Sequence, residues 1–169
     1  MFIKTKRLTL RPTQIEDAPF AMEMVNAPKW IKMIGDRKVH DLEAAKKYVQ
    51  KAIDVFDTEK GIGQWIIMNN ESKEKVGVTG LYKREGLEHA DIGFALLEKF
   101  EGNGFAFEAT KAVMDHVIKS TNISRIEGIT IEINQPSRKL LEKLGLRFEK
   151  YIRLPDDPVE LMLYAINLQ

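Results

Sequence analysis

Apolar and polar positions along the chain follow two rhythms, a step of two and a step of three to four, and the switches between them mark out the elements. From Ile3 to Arg11, Leu8 and Leu10 alternate with Arg7, Thr9 and Arg11, which predicts a half-buried strand closed by Pro12. A helix follows, opened either by a capping box over Thr13 and Glu16 or by Asp17 with Pro19 in the first turn, and ending near Val25. Between Asn26 and His40 the rhythm is lost: Pro28, Trp30, Ile31, Met33, Ile34 and Gly35 are apolar or breaking without a clear period. Asp41 is placed to cap a second helix, whose Leu42, Ala45, Val49, Ala52, Ile53 and Phe56 keep helical spacing while Lys46, Lys47, Gln50 and Lys51 face water.

The second half is denser in strands. Gly61-Ile62-Gly63 precedes a strand over Gln64 to Met68, the polar turn 69–74, and a second strand over Lys75 to Lys83, so the pair reads as a hairpin. Gly77 and Gly80 within it predict close packing or a bulge. The segment 83–88 turns the chain into Asp91-Ile92-Gly93-Phe94-Ala95-Leu96-Leu97, a short apolar run that reads as a buried strand. It enters a tight loop at Glu101-Gly102-Asn103-Gly104. A helix then opens, with Phe105, Ala109, Ala112, Val113 and His116 or Val117 on one face. Arg125 to Ile133 alternates again, through Ile126, Ile129, Ile131 and Ile133. Pro136 suits a helical first turn, Leu140, Leu141 and Leu144 give that helix a buried face, and Gly145 stops it. Two last strands, about Arg147 to Arg153 and Val159 to Asn167, are split by Pro155-Asp156-Asp157-Pro158.

Composition narrows the class. A chain of 169 residues without a linker-like tract predicts one domain with a proper core. The formal charge of +1, with acids and bases interspersed, gives no electrostatic footprint for nucleic acid or an anionic membrane. The absence of cysteine excludes disulfides, thiolate zinc sites and an acyl-cysteine route, and fits a reducing compartment. No apolar run approaches the roughly 20 residues of a membrane span. Met1-Phe2-Ile3-Lys4 lacks the layout of a signal peptide, so the cytoplasm is the expected location. His40, His89 and His116 share no element at ligand spacing, and no metal is expected.

The chemistry concentrates at the glycine turn. Gly102 and Gly104 allow a sharp turn and close approach to main-chain N–H groups, and the first N–H groups of a helix lack internal partners and carry its positive dipole end. That describes a diphosphate cradle, or alternatively a strand-to-helix connection that needs glycine only to turn. A P-loop would continue Gly-Lys-Ser/Thr, but Phe105-Ala106-Phe107 follow Gly104. A dinucleotide fingerprint needs a glycine where Phe107 stands.

Ile92-Gly93-Phe94-Ala95-Leu96-Leu97 followed by Glu101-Gly102-Asn103-Gly104-Phe105-Ala106-Phe107-Glu108-Ala109 resembles motif A of the GNAT acetyltransferases. In its details it is similar to the RimJ/RimL-like branch, which acetylates ribosomal-protein N-termini. Asn134-x-x-Ser137 with Leu141-Glu142-Lys143-Leu144-Gly145 resembles motif B, Leu146 standing for the usual Phe. The strand Thr5 to Pro12 and the closing Glu160-Leu161-Met162-Leu163-Tyr164 are similar to the branch's first and last strands, so the resemblance covers nearly the whole chain. It implies a mixed α/β fold of α+β character: a mostly antiparallel, splayed seven-stranded sheet with about four helices, with 1–169 as one N-acetyltransferase domain.

The resemblance implies acetyl-CoA as cosubstrate, held by Phe94, Ala95, Leu96 and Leu97 on the strand, by Gly102, Asn103, Gly104, Phe105 and Ala106 at the turn, and by Asn134 and Ser137. The family's Gln/Arg position carries Glu101, whose acid is expected to turn to solvent, leaving phosphate to the backbone. Trp30 and Met33 stand where relatives build an acceptor wall, or plug the core beneath a loop. Direct transfer to a primary amine needs a neutral nucleophile, oxyanion donors and a proton for the departing sulfur. Leu141 occupies the position of the family's tyrosine, so Ser137 is the candidate donor, unless it and Asn134 only cap a helix. Asp91 is the candidate base, ahead of Glu85, His89 and Glu160; all four also read as surface or structural charges, with water as the alternative proton carrier. Arg138, Lys139 and Lys143 could meet phosphate or remain solvated. The expected partner is a peptide N-terminus or a small amine (polyamine, amino acid, antibiotic), with a monomer or homodimer; the alternative is a non-catalytic acetyl-CoA-binding module.

Overall fold

The computed structural model describes residues 1–59 and 61–169. Its strands are β1 (Ile3–Lys4), β2 (Leu8–Pro12), β3 (Gln64–Asn69), β4 (Lys75–Tyr82), β5 (Asp91–Leu96), β6 (Arg125–Thr130), β7 (Arg147–Ile152) and β8 (Leu161–Asn167). Its α-helices are α1 (Ala18–Asn26), α2 (Pro28–Met33), α3 (Leu42–Thr58), α4 (Phe105–Ser120) and α5 (Gln135–Lys143), with single 3-10 turns at Ile15–Asp17 and Glu98–Phe100. The class is the expected one, but among the described residues the sheet has eight strands, not seven, and five α-helices occur, not about four.

The eighth strand comes from the opening segment. Thr5 Oγ1 and its main-chain N–H both turn back to Leu8 O, at 3.2 and 2.9 Å, so the chain folds on itself and Ile3 pairs antiparallel with Leu10. The extra helix is α2, which falls in the stretch without period; none of its residues is buried, so no apolar stripe announces it. Two strand ends also differ. Beyond Thr130 the chain enters a turn in which Asn134 N–H donates to Ile131 O, so Ile133 is exposed at the surface and not in a strand. The last strand begins at Leu161, after the Pro155–Pro158 turn.

The sheet runs β1-β2-β3-β4-β5-β6-β8-β7, antiparallel except between β5 and β6. One face carries α4 and α5: Phe105, Ala109, Val113 and Val117 of α4 pack on Leu8, Leu10, Ile67 and Ile92, and Leu141 packs among Ile126 and Leu146. The other face carries α1, whose Phe20 and Met24 lie on Ile66 and Val78, while its Ala18, Ala21 and Val25 receive Ala45 and Val49 of α3. Asp41 caps α3 by accepting from Ala44 N–H at 2.7 Å. The glycines of the hairpin mark contact, since a Cβ on Gly80 would lie 2.1 Å from Gly63 O, and the ladder slips between Ile67 and Met68.

Candidate active site

Parallel strands β5 and β6 pair at one position, Asp91 with Glu127, where Glu127 N–H donates to Ala90 O at 2.9 Å. Past that point they part. Leu97 N–H donates to Val76 O at 2.9 Å, and alternation along an antiparallel ladder then commits the main-chain groups of Ala95 and Gly93 to β4. Those of Phe94 and Leu96 turn into the split. Phe94 and Leu96 therefore keep main-chain groups facing the split, whereas Ala95 spends its groups on β4 and Leu97 donates to Val76 O and accepts from Phe100 N–H.

At the wide end of the split the chain passes through the 3-10 turn into the glycine loop. Gly102 and Gly104 have φ of +76° and +77°, a conformation that L-residues avoid. Gly104 is the N-cap of α4 and supplies no side-chain bond, so the N–H groups of Phe105, Ala106 and Phe107 begin the helix without intrahelical acceptors. The loop is exposed and nothing lies within 4 Å of where a Gly102 Cβ would stand. Asn103 Nδ2 donates to Phe100 O and Glu101 O at 3.3 and 3.1 Å, so its side chain braces the loop.

Two supports of this loop are not evident from the sequence. Arg7 donates through Nη1 to Asn103 O at 2.8 Å and through Nε to Glu108 Oε2 at 2.6 Å, and its guanidinium lies 4.7 Å above the Phe105 ring. Glu108 Oε1 also accepts from Thr5 Oγ1 and from Arg7 N–H, at 2.6 and 2.9 Å. Burial works against ionising Glu108, but these bonds outweigh it and hold its pKa below the usual range. Glu101 does not turn freely to solvent as expected. Its Oε2 meets Lys29 Nζ of α2 at 2.5 Å, which neutralises the acid beside the loop.

Next to the loop a groove of about 490 Å³ is lined by the bases Arg7, Lys111 and Lys143 and the acids Glu108 and Asp115, with Gly104, Phe107 and Ala112 between them and Lys143 Nζ 4.2 Å above the Phe107 ring. Of the basic candidates on α5, Lys143 reaches this groove. Arg138 instead donates to Tyr164 Oη and Glu132 O, at 3.3 and 3.1 Å, and Lys139 is exposed. Asn134 caps α5 by accepting from Ser137 N–H at 3.3 Å. Ser137 is half-buried one turn before Leu141, on the same helix face. Leu141 is buried, and a Gly128 Cβ would meet its Cδ2 at 2.6 Å.

At the narrow end, on the face of α1 and α3, lies Asp91. It is 1% exposed and takes Arg84 Nε at 3.0 and 3.1 Å. Burial raises its pKa, the Arg84 charge opposes this, and the charge of Glu127 adds to the rise. Opposite it in the ladder stands Tyr82, whose ring lies over Gly93 and whose phenol is pushed up by burial. Glu127, absent from the sequence candidates, is 5% exposed; its Oε1 accepts from Arg125 Nε at 3.2 Å. Glu85 and Glu160 are exposed, and His89 and Met33 half-buried. Trp30 packs between the α1–α3 cluster and the Phe20–Met24 cluster. No group of three metal-binding side chains occurs among the described residues.

The arrangement joins three things: helix-end amides without intrahelical acceptors, a strand edge whose main-chain groups face the split, and a buried carboxylate where the strands begin to part. A family model described as the acetyltransferase (GNAT) domain matches residues 7–147. An N-acetyltransferase of Bacillus licheniformis is 31% identical over 152 residues, 88% of this chain and 84% of the relative. A GNAT-family acetyltransferase from Bacillus anthracis superposes with a TM-score of 0.80 at 25% identity, over 99% of this chain and 98% of that one. A RimL ribosomal-protein α-N-acetyltransferase solved with coenzyme A superposes with a TM-score of 0.84 over 99% and 98%; at 23% identity this likeness carries the fold.

Proposed function

The chain belongs to the GNAT acetyltransferase family and is an acetyl-CoA-dependent N-acetyltransferase; from that premise we propose that residues 1–169 act as one unit that acetylates the α-amine of a peptide or protein N-terminus. Acetyl-CoA, when bound, supplies a thioester carbonyl to the amine and a sulfur that leaves. The observation that carries the reading is the parted β5–β6 pair, with the glycine loop at one end and Asp91 at the other.

The residues present fit the cosubstrate. The amides at Gly104 to Phe107 take the diphosphate, the open space at Gly102 admits it, and Lys29 removes the repulsion of Glu101. Phe94 and Leu96 pair with amides of the extended arm, and a main-chain N–H of the same edge stabilises charge developing on the carbonyl oxygen. Asn134 holds the start of α5 in place, which sets Ser137 to hand a proton to the departing sulfur. The family's tyrosine position is filled by Leu141 as core, so its absence reflects packing against Gly128 and leaves the proton to Ser137. Asp91, with its raised pKa, takes the proton that the amine nitrogen gives up once it has attacked.

An α-amine, with a pKa near 8, loses its proton more readily than a lysine near 10.4, which favours an N-terminus over a side chain. The likeness to a ribosomal-protein α-N-acetyltransferase supports the same class. Incubation with acetyl-labelled acetyl-CoA and a cell extract tests it. The label is expected on a protein or peptide α-amine; label confined to polyamines, amino acids or other small amines would move the acceptor to that class. Cofactor binding without thiol release against any acceptor would reduce the protein to a binding module.

A further inference from the structure

Asp91 and Glu127 are partners across the one parallel rung, so their side chains leave the sheet on the same face. Ile126 and Gly128, on either side of Glu127, face the α5 core, which sends Glu127 to the opposite side, beside Asp91 and Tyr82. Both carboxylates are more than nine-tenths buried. The cations that meet them are already divided. Arg84 binds Asp91, whereas Arg125 gives Nε to Glu127, Nη2 to Glu149 at 2.5 Å and Nη1 to Asn167 Oδ1 at 3.0 Å. Three carboxylates thus share two guanidiniums, and Glu127 Oε2 is buried with no hydrogen-bond donor among the described residues.

A buried carboxylate oxygen without a donor costs stability, and the pair with Arg125 satisfies Oε1 but leaves Oε2 without one. The cost is repaid by a ligand that brings both positive charge and N–H donors. Calcium fits poorly, because two carboxylates fall short of the six to eight oxygens it takes, and magnesium, which binds through one or two carboxylates and its own waters, is the competitor the test below includes. A primary ammonium fits on both counts, with one charge and three donors. It is also the resting form of the acceptor class proposed above, on which this inference rests.

We infer that Glu127, beside Asp91 at the vertex where β5 and β6 part, is the seat of the acceptor's ammonium group and receives its excess proton. An N–H bond of the ammonium breaks and an O–H bond forms on the carboxyl pair; the electron pair stays on nitrogen, nothing is oxidised or reduced, and the proton later passes to water. Burial, with the charge of Glu127 adding to it, raises the affinity of Asp91 for a proton. Arg84, Tyr82, Arg125 and Glu149, from the β4–β5 connection and from β4, β6 and β7, are ionisable groups around the pair, and Tyr48 of α3 and Arg37 act on Tyr82 from the facing layer.

The test uses the full chain labelled with carboxyl-¹³C glutamate, with the Glu127 signal identified by its loss in Glu127→Gln. Titration with n-butylammonium chloride and with a serine-leading tetrapeptide is expected to move that signal saturably. Sodium chloride at equal ionic strength should leave it in place, and magnesium chloride should not reproduce the shift. A Glu127 signal that ignores both amines, or answers sodium or magnesium equally, overturns the inference. Acetyl-CoA affinity measured by calorimetry is expected to agree within twofold between the unaltered chain and Glu127→Gln. Absence of acetyl-CoA binding in the unaltered chain would remove the transferase reading instead, so the two failures are distinguishable.

Discussion

Gly102 and Gly104 hold left-handed φ values, yet the space around them differs: nothing stands near a Gly102 Cβ, and Arg7 Nη2 lies 3.4 Å from a Gly104 Cβ. Backbone strain alone is expected to cost about 1–2 kcal/mol for Gly102→Val or Gly104→Val. Acetyl-CoA affinity should fall by about tenfold or more, because a branched side chain covers the helix-end amides. Urea unfolding and calorimetry separate the two effects, and unchanged affinity in both variants would remove the loop from the cofactor site. A second residue of this kind is Asp17, fully buried and bonded to Arg11 Nη1 and Nη2 at 2.7 and 2.8 Å and to Lys75 at 2.7 Å. Burial opposes its ionisation, but the Arg11 and Lys75 bonds prevail and lower its pKa. The stability this gives is present above the unfolded value of about 3.9 and is lost as pH falls through the folded value. Asp17→Asn is expected to cost about 3 kcal/mol at pH 7 and to flatten the acid limb below about pH 4, read from urea midpoints between pH 2 and 7.

Among the elements, the helices α3, α4 and α5 are legible in the sequence because each shows one apolar face and one wet face, whereas the hairpin β3–β4, buried on both faces, is legible only through the polar turn 69–74 that separates its two apolar runs. Where a segment is buried on both sides or on neither, the pattern fails. α2 buries nothing, so its apolar residues scatter; Glu127 reads as an outward charge in an alternating strand, because the split that encloses it is a property of the sheet. The Arg7–Glu108 clamp joins residues 101 positions apart, beyond any local pattern. The glycine loop, being local, is readable, whereas the residues that brace it are not. Two glycine substitutions probe the packing. Gly80→Ala places a methyl 2.1 Å from the Gly63 carbonyl, which cannot yield cheaply, and is expected to cost more than about 2 kcal/mol. Gly128→Ala meets the end of the Leu141 side chain at 2.6 Å, which can rotate, and should cost about 1 kcal/mol. Equal losses in chemical denaturation would contradict this distinction between backbone and side-chain contact.

For the whole molecule, the split sheet makes stability and binding one measurement. A ligand that binds only the folded chain adds about 2.7 kcal/mol at a hundred times its dissociation constant, so acetyl-CoA should raise the melting temperature by several degrees and NADH should not. Amide exchange locates the effect. Coenzyme A is expected to slow exchange at Phe94 and Leu96, which face the split, and to leave Ala95, already committed to β4, nearly unchanged. Equal protection of all three would mean that the split closes on its own.

A single parallel rung also means that each half of the sheet keeps an interior margin of unmatched peptide groups. Such a margin on an outer strand invites pairing with another chain. Here it lies between α4 and α5 on one side and the α1 layer on the other. A bulky folded partner is kept away by those walls, while a thin, flexible chain bearing its own amides can thread between them. The fold thereby selects its guest by cross-section before any side chain takes part.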